Sequence, residues 1–135
     1  MKRKQVLWVV SRQGFRDMLR NDEVYGSIMT GKTAVISICD PLGSHDLVEC
    51  DNILNVAFFD DDSITPEMAM KIANFINRNY DKHFLIHCSA GKSRSQGVAR
   101  FIMDTYTDID WVTNPENPCL TPNIDVVLRL KEAKN

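Results

Sequence analysis

The sequence predicts an α/β fold with a central, mostly parallel sheet of four to five strands flanked by helices. Three observations support this class. Short apolar runs alternate with segments of helical periodicity along the chain. Thr33–Cys39 is an almost uninterrupted apolar, β-branched run, as in strands buried on both faces. The chain has 135 residues, of which 44% are hydrophobic and 25% charged, which predicts a single globular domain over residues 1–135.

The first half of the chain predicts three strands and a short helix. Residues 5–10 form the first predicted strand, and Ser11 is placed to cap the helix that follows. The apolar side chains of this helix are Phe15, Met18 and Leu19. Thr33–Cys39 is the second predicted strand, which ends before Pro41 because proline has no N–H to donate. Residues 53–59 are the third.

A longer helix and a fourth strand come next. Thr65 is a predicted N-cap and Pro66 a predicted first helical residue. The apolar side chains of that helix follow helical spacing at Met68, Ile72, Phe75 and Ile76. Residues 84–87 predict the fourth strand. A further helix is indicated by the spacing of Val98, Phe101, Ile102 and Thr105.

The last quarter of the chain predicts a long loop and a final helix. Residues 107–122 contain Asn114-Pro115 and Asn117-Pro118, which are typical of turns, and Trp111 within this stretch is expected to pack on the core. Asn123 is the predicted cap of the final helix. The apolar residues expected on one face of that helix are Ile124, Val127 and Leu128.

Residues 87–95 join the fourth strand to the next helix and read His-Cys-Ser-Ala-Gly-Lys-Ser-Arg-Ser. At such a junction the free N–H groups of the first helical turn and the helix dipole attract an anion. Gly91 lets the backbone turn, and the small Ser89 and Ala90 let the amides converge. The Arg94 guanidinium can pair with two phosphate oxygens. Cys88, at the base of this cradle, is expected to be an acidified thiolate nucleophile.

Cys88, five intervening residues, Arg94 and Ser95 resemble the signature loop of the cysteine-dependent protein tyrosine and dual-specificity phosphatases, most closely the dual-specificity branch. The resemblance, from about residue 33 onward, implies a protein tyrosine phosphatase-like fold and a phosphomonoester hydrolase. It implies that Cys88 becomes phosphorylated, that Ser95 helps the thiolate leave, and that His87 orients the loop and tunes Cys88. The substrate-binding residues that it implies are Ser89, Ala90, Gly91, Lys92, Ser93 and Arg94.

The acidic stretch of residues 58–63, at the end of the third strand, is the expected source of a general acid. Transfer of a phosphoryl group to Cys88 expels an alkoxide or phenoxide, which a carboxylic acid must protonate. The resemblance implies an aspartate here, and our choice is Asp61, with Asp60 and Asp62 as rivals. Asn123 is implied to support the site, although an ordinary N-cap is an equal interpretation.

Other site types are disfavoured. A nucleotide-binding loop that ended at Gly91-Lys92-Ser93 would need a glycine where this chain has Ile86. The four cysteines, Cys39, Cys50, Cys88 and Cys119, form no Cys-x-x-Cys pair. We therefore expect neither metal nor cofactor. Two non-catalytic hypotheses stay open, a phosphate-binding pseudo-phosphatase and a thiol redox sensor in which Cys39 pairs with Cys88.

The expected partner is a phosphorylated protein, carrying phosphotyrosine or phosphoserine/threonine. A phospholipid or an RNA 5'-phosphate is the second possibility, suggested by the additional positive charge of Lys92. The net charge of −2 argues against stable binding to nucleic acid or membranes. The apolar run at residues 6–10 is too short for a membrane span or a signal peptide, and reduced cysteines fit a cytoplasmic protein.

Overall fold

A computed structural model describes residues 2–115 and 121–134. It contains a parallel sheet between two layers of helices. The strands are β1 (Arg3–Ser11), β2 (Thr33–Cys39), β3 (Ile53–Ala57), β4 (His83–Cys88) and β5 (Ile109–Thr113). The helices are α1 (Arg12–Leu19), α2 (Asp22–Met29), α3 (Pro66–Asn79), α4 (Arg94–Thr105) and α5 (Ile124–Lys134). The predicted fold class is confirmed.

The five strands are ordered β3-β2-β4-β1-β5, and each neighbouring pair runs parallel. β4 is therefore central, between β1 and β2. The register pairs Ser37 with His87 and Ser11 with Cys88, so the carboxyl ends of these strands meet at one edge of the sheet. Ligands of open α/β sheets bind at this edge.

Each face of the sheet has its own apolar cluster. The larger cluster joins Ile36 and Ile86 to α3, α4 and α5, through side chains such as Ile72 and Val98. The smaller one lies beneath α1 and α2 and contains Phe15, Ile28, Val35, Ile53 and Leu85. Because every β2 residue is buried, this strand is apolar throughout rather than alternating.

Local signals account for most of the helix boundaries. Ser11 caps α1 by accepting a hydrogen bond from the Gly14 amide. Thr65 caps α3 in the same way through the Met68 amide, and Pro66 occupies the first turn. Asn123 accepts from the Val126 amide at the start of α5. These three predicted caps are confirmed.

Two predictions need correction. The loop expected over residues 107–122 contains β5, whose side chains are only partly buried and whose partner β1 is distant in sequence. Trp111, on β5, packs edge-on against Phe84, so its expected packing on the core is confirmed. Of the three α5 residues expected on one apolar face, Val127 is buried, but Ile124 and Leu128 are exposed, at 61% and 52%. The buried side chains of the helix are Val126, Val127 and Leu130.

The helix α2 was not expected from the sequence. The predicted turn at Asn117-Pro118, as well as Cys119, lies outside the described residues. In the part of the chain that the structure describes, no helix is long and apolar enough to cross a bilayer.

Candidate active site

The loop between β4 and α4 starts at Cys88, whose thiol is buried at the end of the central strand. Its Sγ lies 3.0 Å from the Ser95 hydroxyl, in the first turn of α4. Burial raises the pKa of the Cys88 thiol, but hydrogen bonds outweigh it and lower the pKa below its usual value. These bonds come from the Ser95 hydroxyl and from the backbone of Ser95, Gly91 and Ser93.

Four carbonyls of the loop accept hydrogen bonds from groups outside the thiol pocket. The Ser89 carbonyl accepts from the Arg12 amide (3.2 Å) and the Ser93 carbonyl from the Asn123 amide (3.0 Å). Two more loop carbonyls accept from side chains: that of Gly91 from Gln96 Nε2 (3.2 Å) and that of Lys92 from Thr121 Oγ1 (2.6 Å). With its carbonyls held outward, the loop can present its N–H groups to an anion before any ligand arrives.

Gly91 fixes the loop against the first βα unit. Its φ is +69°, in the left-handed region, and an added Cβ would lie 2.6 Å from the Val10 carbonyl carbon. No other residue fits there without moving the backbone. The segment Val10-Ser11, between β1 and α1, is therefore part of the wall of the site, although the sequence resemblance began only at about residue 33.

The Arg94 side chain is buried and oriented by three groups. Its Nη1 donates to Asp40 Oδ1 (2.7 Å) and to the Phe58 carbonyl (2.6 Å), and its Nη2 donates to Ser89 Oγ (3.1 Å). Within the described residues, Nε has no hydrogen-bond partner. The guanidinium is thus fixed at the loop with a donor atom unused, which suits it to binding a phosphoryl oxygen.

Sequence reasoning missed the roles of Asp40, Thr121 and Gln96. Asp40 follows β2 directly, next to the central strand, so its position at the carboxyl edge of the sheet was a usable signal. Thr121 and Gln96 act through backbone carbonyls of the loop, and nothing in their spacing indicates this contact.

Among the three aspartates after β3, Asp60 contacts the loop through its carboxylate. Its carboxylate accepts from Ser93 Oγ (2.6 Å) and from Asn123 Nδ2 (2.9 Å). The exposed Asp61 carboxylate instead accepts from the Ser63 amide of its own turn (2.7 Å). Hydrogen bonds from the Ser63 side chain and backbone lower the pKa of Asp61, which favours its ionised form. Asp62 is exposed.

The His87 side chain lies away from the loop, and the Lys92 side chain is exposed to solvent. The His87 ring stacks on Phe15 of α1, with ring centroids 4.3 Å apart, on the sheet face opposite to the Cys88 side chain. Burial lowers the pKa of His87 to about 4, so the ring is neutral at pH 7. Its influence on Cys88 is therefore limited to how it holds the end of β4. Lys92 is exposed, as are Ser89 and Ala90.

Cys39 lies on the sheet face opposite to Cys88. Along β2 it alternates with Ile38 and shares the face of Val35, whereas Cys88 belongs to the larger cluster on the other face. Its Sγ is 3.4 Å from His45 Nδ1. A disulfide between Cys39 and Cys88 would need the strand ends to rearrange. In the described residues, no group of three or more His, Cys, Asp or Glu side chains is placed to hold a metal ion.

Three solved structures resemble this arrangement of elements. DUSP15 has a TM-score of 0.58 and 18% sequence identity, with 93% of this chain and 81% of that chain covered. The chain has the fold of the dual-specificity phosphatases. OH1 from the Orf virus, a tyrosine phosphatase with triple substrate specificity, matches at a TM-score of 0.50 and 20% identity, over 96% of this chain and 69% of that one.

A third structure with the dual-specificity phosphatase fold is the human tyrosine phosphatase-like serine/threonine/tyrosine-interacting protein. It has a TM-score of 0.50 and 19% identity, with 84% of this chain and 83% of that chain covered. No family model and no curated protein sequence matches the chain. The fold implied by the resemblance is thus confirmed, and the chemistry rests on the site itself.

Proposed function

We propose that this protein is a phosphomonoester hydrolase, a protein tyrosine or dual-specificity phosphatase that acts through a phosphocysteine intermediate. The observation that carries the proposal is the loop of residues 88–95, in which Ser95 and backbone donors lower the pKa of the Cys88 thiol and the Arg94 guanidinium is fixed on Ser89 of the same loop. A phosphoryl group is the tetrahedral dianion that such a cradle complements.

The reaction has two steps. In the first, the Cys88 thiolate attacks phosphorus, the ester P–O bond breaks, and the leaving oxygen takes a proton from an acid. In the second, water attacks the phosphocysteine, the S–P bond breaks, and inorganic phosphate leaves. Arg94 and the loop amides stabilise the charge of the equatorial oxygens in both steps. The Ser95 hydroxyl, 3.0 Å from Sγ, donates to the departing thiolate.

The contacts favour Asp60 as the acid. Both aspartates are exposed, but the Asp60 carboxylate reaches Ser93 of the loop, whereas the Asp61 carboxylate is bonded to Ser63 of its own turn, which lowers its pKa. A general acid must carry a proton and lie close to the leaving oxygen. Asp61 as the acid stays a prediction from the sequence, and the same experiment tests both residues.

Hydrolysis of para-nitrophenyl phosphate in the presence of a chelator tests the proposal. We expect turnover by the reduced wild type and its loss in Cys88→Ser, since a hydroxyl is a far weaker nucleophile at neutral pH. Cys50→Ser is the matched control, because Cys50 is an exposed free thiol away from the loop, and it should retain full turnover. Absence of turnover by the wild type, together with binding of inorganic phosphate, would instead indicate a pseudo-phosphatase.

Leaving-group dependence identifies the acid. Asp60→Asn should lower kcat about 100-fold or more on phosphotyrosine, whose phenolate needs a proton, and much less on para-nitrophenyl phosphate, whose leaving group does not. Asp61→Asn should leave both rates within a few-fold of the wild type. The reverse pattern would assign the acid to Asp61.

A further inference from the structure

The turn after β2 places an apolar side chain in solvent beside the site. The Gly43 amide donates to the Asp40 carbonyl (2.9 Å), which closes a turn with Pro41 and Leu42 at its centre. Leu42 has a φ of 73°, in the left-handed region, and its exposure is 106%. A branched residue is disfavoured at this backbone conformation, and glycine or asparagine is the usual occupant.

Leu42 therefore has an unfavourable backbone conformation, and its side chain is not buried within its own chain. Such a combination of backbone strain and an exposed apolar side chain is a sign of selection for something outside the fold. Its position supplies the candidate. Two residues before it, Asp40 accepts a hydrogen bond from Nη1 of Arg94.

A second exposed apolar side chain lies next to another hydrogen-bond partner of the same guanidinium. The Phe58 carbonyl also accepts from Nη1 of Arg94, and the next residue, Phe59, is 51% exposed. The two connections leave adjacent strand ends, since the Phe58 amide donates to the Cys39 carbonyl (3.0 Å). Leu42 and Phe59 thus extend from the two segments that hold the phosphate-binding arginine.

We propose that Leu42 and Phe59 form an apolar rim that contacts side chains next to the phosphorylated residue of a protein substrate. This inference rests on the proposed function and narrows its substrate class to phosphorylated segments with apolar neighbours. Both rim residues are large enough to bury apolar area on binding.

The charge around the rim favours a protein segment over a lipid surface. Phe59 is followed directly by Asp60, Asp61 and Asp62, and Asp40 lies 54% exposed two residues before Leu42. The Asp40 carboxylate is paired with Arg94, but the three aspartates after Phe59 would be repelled by the negative potential of an anionic membrane. An apolar peptide segment without further acidic residues meets no such penalty.

Two phosphotyrosyl peptides of equal length and charge test the rim, one with leucines at the two positions after the phosphotyrosine and one with glutamines there. We expect the wild type to favour the leucine peptide by about tenfold in kcat/KM. Leu42→Asn should reduce this ratio severalfold while its melting temperature holds or rises, because asparagine tolerates the left-handed backbone. Phe59→Asn should reduce the ratio as well.

Val48→Asn is the matched control. Val48 is 86% exposed on the same connection but lies near the start of β3, where the Leu47 carbonyl accepts from Asn55 Nδ2. It should keep both the ratio and the rate. A Leu42→Asn variant with an unchanged ratio would overturn the rim, whether its two kcat/KM values are unaltered or fall equally.

The same peptides are also measured for binding to Cys88→Ser. If the wild type hydrolyses neither peptide but Cys88→Ser binds the leucine peptide more tightly, the catalytic proposal fails and the rim stands. Binding of the wild type to phosphatidylserine vesicles that Leu42→Asn abolishes would replace the rim by a membrane contact.

Discussion

At the scale of single residues, burial decides the charge of His87. The ring is fully buried against Phe15, and burial lowers its pKa from 6.5 to about 4. In the unfolded chain the ring gains a proton as the pH falls below about 6.5, whereas the folded ring stays neutral until about pH 4. The unfolded state then binds more protons, so the folded state loses stability as the pH falls through this range.

We therefore expect the free energy of unfolding to fall by up to about 3 kcal/mol between pH 6.5 and pH 4 on account of His87 alone. His87→Leu removes the titrating group, so its stability should vary less over the same range. Urea unfolding at several pH values measures the difference. His45→Gln, which changes a less buried histidine, should keep most of the wild-type dependence, and parallel curves for wild type and His87→Leu would contradict the assignment.

At the scale of helices and strands, two helical glycines differ in their surroundings: one lies against a neighbouring helix and the other faces open space. Gly97 lies in α4, where an added Cβ would come within 2.9 Å of the Asn123 carbonyl oxygen and of Val126 Cβ. Gly26, in α2, has no neighbouring atom within 4 Å of such a Cβ. Gly97 thus allows α4 and the start of α5 to touch, and it thereby sets the position of Asn123 at the loop.

Alanine at these two glycines should have opposite effects. Gly97→Ala should destabilise the protein by about 1–3 kcal/mol, because α5 must shift. Gly26→Ala should stabilise it by about 0.5–1 kcal/mol, since alanine restricts the unfolded chain and favours the helix. Urea midpoints measure both, and equal midpoints for the two variants would exclude this account of the helix contact.

The same scale shows what the sequence could predict. The buried strands β2 and β4 were placed to within a residue, since their apolar runs report burial on both faces. β5 was missed because its edge position leaves it half-exposed, and its pairing with β1 joins residues 106 apart, as between Lys4 and Asp110. The predicted apolar face of α5 was wrong at Ile124 and Leu128, because helical spacing cannot tell which side chains α3 and α4 will cover.

Some residues of the candidate site could be predicted from the sequence and others could not. Cys88, Arg94 and Ser95 are neighbours in sequence, so their approach followed from one strand-loop-helix junction. Asp40 and Thr121 reach the loop through tertiary contacts alone, with Asp40 54 residues from Arg94. The position of Asp40 after β2 indicates only that it lies at the carboxyl edge of the sheet, and no local pattern encodes its contact with Arg94 or that of Thr121 with the loop.

At the scale of the whole molecule, the central strand should dominate stability. Ile86, on β4, is fully buried in the larger cluster, and Val112, on the edge strand β5, is 45% exposed. We expect Ile86→Ala to cost about 2–5 kcal/mol, through lost burial and a residual cavity. Val112→Ala should cost less than about 1 kcal/mol. Chemical denaturation measures both, and similar costs would show that the sheet edge contributes as much as its centre.

The strand order also bears on how the protein forms during synthesis. β1 and β2 are consecutive in the chain, yet they are not neighbours, because β4 lies between them. A nascent chain that has not yet exposed residues 83–88 outside the ribosome holds β1 apart from the β2-β3 pair, with no strand to join them. The strand that ends in Cys88 is the one that joins the two parts of the sheet. The loop of residues 88–95 thus gains its neighbours, the ends of β1 and β2, only once β4 has been synthesised.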